Sequence, residues 1–175
     1  MKKKQYLCSG LRISDKIIFK RSHTMANIFK QLFRSNDIYQ QVESFIINEL
    51  TIRKDRCYEE AKAESTIKRQ LIEKFGRENV DNQHSIGGTN GLKCDVDLFN
   101  GKCGIEIKIA DQMENANNLQ RALGQVMYYS HCYYKENDLI LLVAGRESGL
   151  SARLKELKEI IDQIPRVHFI YKPAK

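Results

Sequence analysis

Apolar residues recur along this chain at helical spacing in some stretches, at every second position in another, and without interruption in a third; each pattern predicts its own kind of element. Between residues 37 and about 54, Ile38, Val42, Phe45, Ile46 and Leu50 lie at helical spacing. A second helical pattern over roughly 58–75 puts Ile67, Leu71, Ile72 and Phe75 on one stripe, with Gly76 at a position where helices favour glycine to end. The two are one long helix or two with a bend near Asp55. Residues 119–134 carry Leu119, Leu123, Val126, Met127 and Cys132 on one helical stripe, after a polar stretch at 111–118 that reads as a loop. Asp138 to Gly145 is an uninterrupted apolar run of strand length, the mark of a central strand buried on both faces. A helix over 148–164, with Leu150, Leu154, Leu157 and Ile161 on its stripe, stops at Pro165. A last strand covers 167–171, and Pro173 ends the order. Upstream, residues 5–20 have strand character around a turn at Ser14-Asp15, a helix covers 27–33, and Ser35-Asn36-Asp37 caps the next helix.

Alternation is strongest from Lys93 to Ala110. Two strands meet there at Asn100-Gly101, a pair that accepts the positive φ a tight hairpin turn requires. A two-residue loop sets Leu98 opposite Cys103, Asp97 opposite Gly104 and Asp95 opposite Glu106. Side chains alternate across a strand, so Asp95, Asp97, Glu106 and Lys108 share one face. Val96, Leu98, Ile105, Ile107 and Ile109, with Cys94 and Cys103, share the other, which is apolar enough to be core. A strand at 80–86 and the loop Gly87-Gly88-Thr89-Asn90-Gly91 precede the hairpin; the loop is a plain turn or a close backbone approach to a ligand. Helices and strands in this order predict an α/β fold: a mixed central sheet with helices on its faces.

Composition narrows the class. The chain has 175 residues, 42% hydrophobic and 29% charged, enough for one globular domain with a real core. No apolar run approaches a membrane span, and the start lacks the apolar segment of a secretory signal, so the expected setting is cytoplasmic with no membrane partner. Five cysteines (8, 57, 94, 103 and 132) are scattered and never form CxxC, which argues for a reducing compartment and against a disulfide or zinc framework. The net charge of +7 is concentrated at one end. Residues 1–35 hold nine of the 29 Lys and Arg but one of the 22 acids, Asp15. Such an arm, with Lys2, Lys3, Lys4, Arg12, Lys20 and Arg21, is either a grip on a phosphate backbone or a solvated tail.

The carboxylates of the hairpin face repel one another at cross-strand distance, and stability alone does not gather them. Either the face is a solvated polar edge, or a hard divalent cation resolves the conflict, since Mg²⁺ binds through one or two carboxylates and keeps waters and phosphate oxygens as its other ligands. Asp95, then Glu106-Ile107-Lys108 after a hairpin, resembles the PD-(D/E)xK nuclease superfamily, which includes restriction endonucleases, Holliday junction resolvases and RecB-like nucleases. Cys94 stands where the motif has its proline. The resemblance spans about residues 58–145 and implies a restriction-endonuclease-like αβββαβ core, with residues 1–55 as a basic arm and helical extension and 56–175 as the nuclease-like core. It implies an endonuclease dependent on Mg²⁺, or on Mn²⁺ in its place, acting on double-stranded or branched DNA, as a homodimer if two strands are cut symmetrically; a non-catalytic DNA-binding or scaffold protein of the same fold is the alternative. Asp95 and Glu106 are then metal ligands, with Asp97 a rival to Asp95. Lys108 is the catalytic lysine. Glu64 on the preceding helix is a further ligand, with Glu60 one turn earlier as its rival. Arg121, Gln125 and Tyr129, at i, i+4 and i+8, resemble the Gln-x-x-x-Tyr motif of RecB-like nucleases, in which the glutamine flanks the active site and its neighbours contact DNA. On the residues alone, that stripe equally serves as a face that hydrogen-bonds the hairpin. The tyrosines at 128, 129, 133 and 134 suit base stacking or packing.

Overall fold

The apolar run Asp138–Gly145 is a strand buried at every residue, and it lies inside a five-stranded sheet whose strands follow chain order. These are β1 (Val80–Ser85), β2 (Lys93–Leu98), β3 (Cys103–Ile109), β4 (Asp138–Gly145) and β5 (Val167–Pro173). The first three pair antiparallel and the last three parallel, so the sheet is mixed. The computed structural model describes residues 35–85 and 93–175, with 35, 36 and 82–85 described by backbone alone. The strands and the helix at 27–33 expected within residues 1–34, and the basic side chains from Lys2 to Arg21, lie outside the described residues, as do Ile86 and the glycine-rich loop at 87–91.

Helices cover both faces. α1 (Ser35–Asn48) and α2 (Glu60–Phe75) bury Val42, Phe45, Ile46, Ala63, Ile67 and Leu71 against Val96, Leu98, Ile105, Ile107, Ile140 and Leu142. On the opposite face, α4 (Ala116–Cys132) and α5 (Ala152–Ile161) bury Ala122, Val126, Tyr129, Leu154, Leu157 and Ile161 against Leu139, Leu141 and Val143. A one-turn helix, α3 (Ala110–Met113), joins β3 to α4. Burial of these stripes is the main stabilising term, at about 25 cal/mol per Å² of apolar surface removed from water.

Several elements differ from the sequence expectation, each for a local reason. The two N-terminal patterns are separate helices, and the first ends at Asn48, six residues early. Leu50 and Ile52 continue the buried pattern in an extended link. That link is tied down by Gln70, whose amide donates to Thr51 O at 2.7 Å while its carbonyl accepts Thr51 N at 3.0 Å. Because α1 packs in the core of the unit 35–175, the boundary of that unit falls at residue 34/35 and not near 55. α4 begins three residues early, since Asn115 caps it by accepting from Asn117 N and Asn118 N. Met127 and Cys132, expected on its apolar stripe, are exposed. α5 starts at Ala152, capped by Ser151. β5 runs through Pro173, and Ala174 N bonds Gly145 O at 2.7 Å. Of the cysteines, Cys57, Cys94 and Cys103 are buried free thiols and Cys132 is an exposed one. No helix among the described residues is long and apolar enough to cross a membrane.

Candidate active site

The hairpin pairs in the expected register, with Leu98 opposite Cys103, Asp97 opposite Gly104 and Val96 opposite Ile105. Its turn is longer than two residues. Phe99, Asn100 and Gly101 all have positive φ, and Lys102 N bonds Leu98 O. Asp97 is the reason: its buried carboxylate accepts Gly101 N at 2.8 Å and the Tyr134 hydroxyl at 2.7 Å, which fastens the turn and α4's end to β2. Committed to those donors, Asp97 is a structural carboxylate, and the choice falls on Asp95.

Beyond Val96 and Ile105 the two strands part. Asp95 does not pair backbone to backbone with Glu106; its side chain accepts the Ile107 N–H at 2.8 Å instead. A carboxylate thus replaces a ladder carbonyl at the fork of the sheet. Cys94, past the last residue that pairs with β3, belongs to the cluster of Tyr129, Tyr134 and Leu141 and not to that of Val96.

The fork opens on a cleft of about 330 Å³ lined by Glu60, Glu64, Asp95, Glu106, Lys108, Gln112, Met113, Asn118, Arg121 and Gln125. α2 supplies the two glutamates, β2 and β3 the central three groups, and α3 and α4 the rest. Glu106 is 1% exposed, and its Oε2 is buried without a donor among the described residues. Lys108 Nζ lies 2.8 Å from Glu106 Oε1 and 3.0 Å from Glu60 Oε1. Glu64 is paired with Lys68, one turn along α2.

Burial governs the titration of this group. It pushes Glu106 up to about 7, with the Asp95 charge adding and Lys108 opposing. It pushes Asp95 up to about 6 against the pull of Lys108 and the Ile107 N–H, with Glu64 and Glu60 adding to the rise. Burial works against charge on Lys108 as well, but the Glu106 and Asp95 carboxylates outweigh it and hold the ammonium protonated above its ordinary range.

Tyr129 is buried, not a cleft surface: its hydroxyl donates to Lys93 O at 2.8 Å and accepts from Gln125 Nε2 at 3.4 Å. It therefore braces β2 and orients Gln125, whose Oε1 is buried without a donor among the described residues. The structure brings together Asp95, Glu106, Lys108, Glu64, Gln125 and Arg121, and adds Glu60 by a direct contact to Lys108. Gln112, Met113 and Asn118 escaped the sequence reading because 111–118 read as a loop; the run Asn115-x-Asn117-Asn118 was the available cap signal.

The donors are all oxygens, which suits a hard cation such as Mg²⁺ or Mn²⁺. No three carboxyl, histidine or cysteine donors converge on one point among the described residues. Two carboxylates meet the usual protein share of a magnesium site, and a buried carboxylate with one oxygen lacking a donor is what a cation would satisfy. Comparison of the chain with protein-family models, with curated proteins and with solved structures finds no match in any of the three. The class defined by fold and site is thus an α/β protein with a mixed five-stranded sheet and a carboxylate–lysine cleft at a fork in it.

Proposed function

We propose that this protein is a metal-dependent nuclease with a restriction-endonuclease-like core, hydrolysing phosphodiester bonds of DNA in the cleft at the β2–β3 fork. One observation carries the reading: Glu106 is buried beside Asp95, with the Lys108 ammonium 2.8 Å from its Oε1 and its Oε2 without a donor among the described residues. Stability alone gives no reason to bury such a group. Asp95 and Glu106 would hold Mg²⁺, with Glu60 or Glu64 as the nearest further carboxylates. Bound there, the ion would stabilise charge building on the phosphate and lower the pKa of water.

The chain's own groups divide the remaining work. Lys108, kept protonated by its carboxylate neighbours, offers a point charge to an anionic oxygen or holds a water in line. Arg121 on the cleft wall donates to the phosphate. Gln125 would offer its Oε1 to a water, with Tyr129 holding its other end. A second reading, a DNA-binding protein without catalysis, draws on the contact of Lys108 with both Glu60 and Glu106, which already neutralises part of the cluster.

Cleavage of supercoiled plasmid, linear duplex, four-way junction and single strand, with Mg²⁺ or Mn²⁺, separates the two. The nuclease reading expects cleavage that chelator abolishes and that Lys108→Ala lowers at least 100-fold. DNA binding by a folded wild type that cuts nothing, and that binds equally well as Lys108→Ala, selects the second.

A further inference from the structure

Beside the cleft stands an aromatic–arginine pair that the catalytic reading does not use. Tyr58, two residues before Glu60, is 59% exposed, among the most exposed large side chains of the described residues. The Arg146 guanidinium lies 4.6 Å over its ring. Arg146 also donates to the Tyr58 hydroxyl at 3.1 Å and to Asp111. Asp111 adjoins Gln112, which lines the cleft, just as Tyr58 closely precedes Glu60, which lines it too. Three elements distant in sequence thus converge to brace one solvent-facing ring two residues from the cleft-lining Glu60: the link before α2, α3, and the end of β4.

An exposed ring held in one orientation loses little entropy when a flat partner stacks on it, and bases stack on such rings whatever their sequence. Inside a continuous duplex, both faces of every base are already covered. Only an unpaired or terminal base offers a free face. Arg146, whose donors go to the Tyr58 hydroxyl and the Asp111 carboxylate, holds the ring in place.

We propose that Tyr58, backed by Arg146, is a base-stacking subsite, and that the polynucleotide this cleft takes presents an unpaired base next to the phosphate: single strand, frayed end or branch, in preference to uninterrupted duplex. This rests on the polynucleotide reading of the cleft given above. The subsite selects substrate structure, and base identity does not enter.

The test is binding, read by fluorescence anisotropy in chelator at physiological salt, so that no cleavage is needed. The probes are a labelled short oligothymidylate and, as an unlabelled competitor for it, a relaxed, covalently closed duplex circle, with the full chain as wild type, Tyr58→Ala and Tyr58→Phe. The expected result is tighter binding of the oligothymidylate by wild type, a loss of about 10-fold in that affinity in Tyr58→Ala, and retention in Tyr58→Phe. Thermal melts establish that the exposed position tolerates both changes. Equal affinity of Tyr58→Ala and wild type for the oligothymidylate overturns the proposal. So does a Tyr58→Phe variant as weak as Tyr58→Ala, which would assign the effect to the hydroxyl and its bond to Arg146. The nuclease reading fails separately: a wild type that cuts nothing in Mg²⁺ or Mn²⁺ yet keeps a strand preference that Tyr58→Ala removes supports the subsite and sinks only the catalysis.

Discussion

Glu106 is where stability and function pull apart. Its folded pKa, near 7, lies above the ordinary glutamate value of 4.5, and burial is the first cause. A carboxyl raised on folding favours the protonated native state. Its contribution is fully present at low pH and is lost as pH rises from about 4.5 through about 7. Asp95, raised to about 6, adds a loss of the same sign. In metal-free protein at pH 8, Glu106→Gln should therefore be more stable than wild type, by on the order of 2 kcal/mol. Urea denaturation in chelator at pH 8 and near pH 4.5 measures it. The gain should vanish at the lower pH, where wild type carries the neutral acid. A variant less stable than wild type at pH 8 would mean that Lys108 and Glu106 form a favourable pair, and the argument from an unsatisfied carboxylate would fall. Asp97 has the opposite character: equally buried, it has a donor on each oxygen, where Glu106 Oε2 has none among the described residues.

The elements carry the site by departing from regularity at chosen points. β2 and β3 pair for three residues on either side of the turn and then separate, so that Asp95 takes the Ile107 N–H and the Glu106 side chain lines a cleft. On the far side, Tyr134 packs over Gly104, opposite Asp97, and a Cβ at 104 would overlap its ring. Tyr134 is fully buried and bonded to Asp97, so it cannot move aside. Gly104→Ala should cost about 1–3 kcal/mol by overpacking. A urea midpoint unchanged from wild type would show that this layer can shift. The hairpin's register was legible because alternation and the Asn-Gly signal agree. Its turn was not, because the demand for three positive-φ residues comes from Asp97, whose partners Gly101 and Tyr134 meet it only in the folded chain. In the same way, the helical stripe of α4 was visible, but Tyr129 read as part of a polar face. A tyrosine has a buried body and a polar tip, and the pattern does not say where the tip goes.

At the scale of the whole molecule, metal affinity and fold stability are linked. Any cation that binds the native cleft and not the unfolded chain raises stability, by about 2.7 kcal/mol at 100 times its dissociation constant. Mg²⁺ at pH 8 should raise the wild-type Tm by several degrees and leave Glu106→Gln unmoved. The shift should shrink at pH 5, where Asp95 and Glu106, with values near 6 and 7, hold protons that the metal must displace. Scanning calorimetry with and without the ion reads this directly, and equal shifts in wild type and Glu106→Gln would remove Glu106 from the site.

By itself the sequence determined the elements whose signal is local: the buried strand at Asp138–Gly145, the faces of the helices, the hairpin register, and a carboxylate pair with a lysine on one side of it. Periodicity and turn chemistry act between neighbours a few residues apart, so they are written in the chain itself. Only the tertiary structure decided what those faces meet. It assigned Asp97 to the turn and Asp95 to the cleft, put Cys94 in the cluster of Tyr129 and Tyr134, buried Tyr129 and brought Glu60 to Lys108, 48 residues on. It also set Arg146 over Tyr58, 88 residues apart. Each of these depends on which surfaces come together when apolar faces leave water, and a pattern along one chain does not name the partner that will cover it.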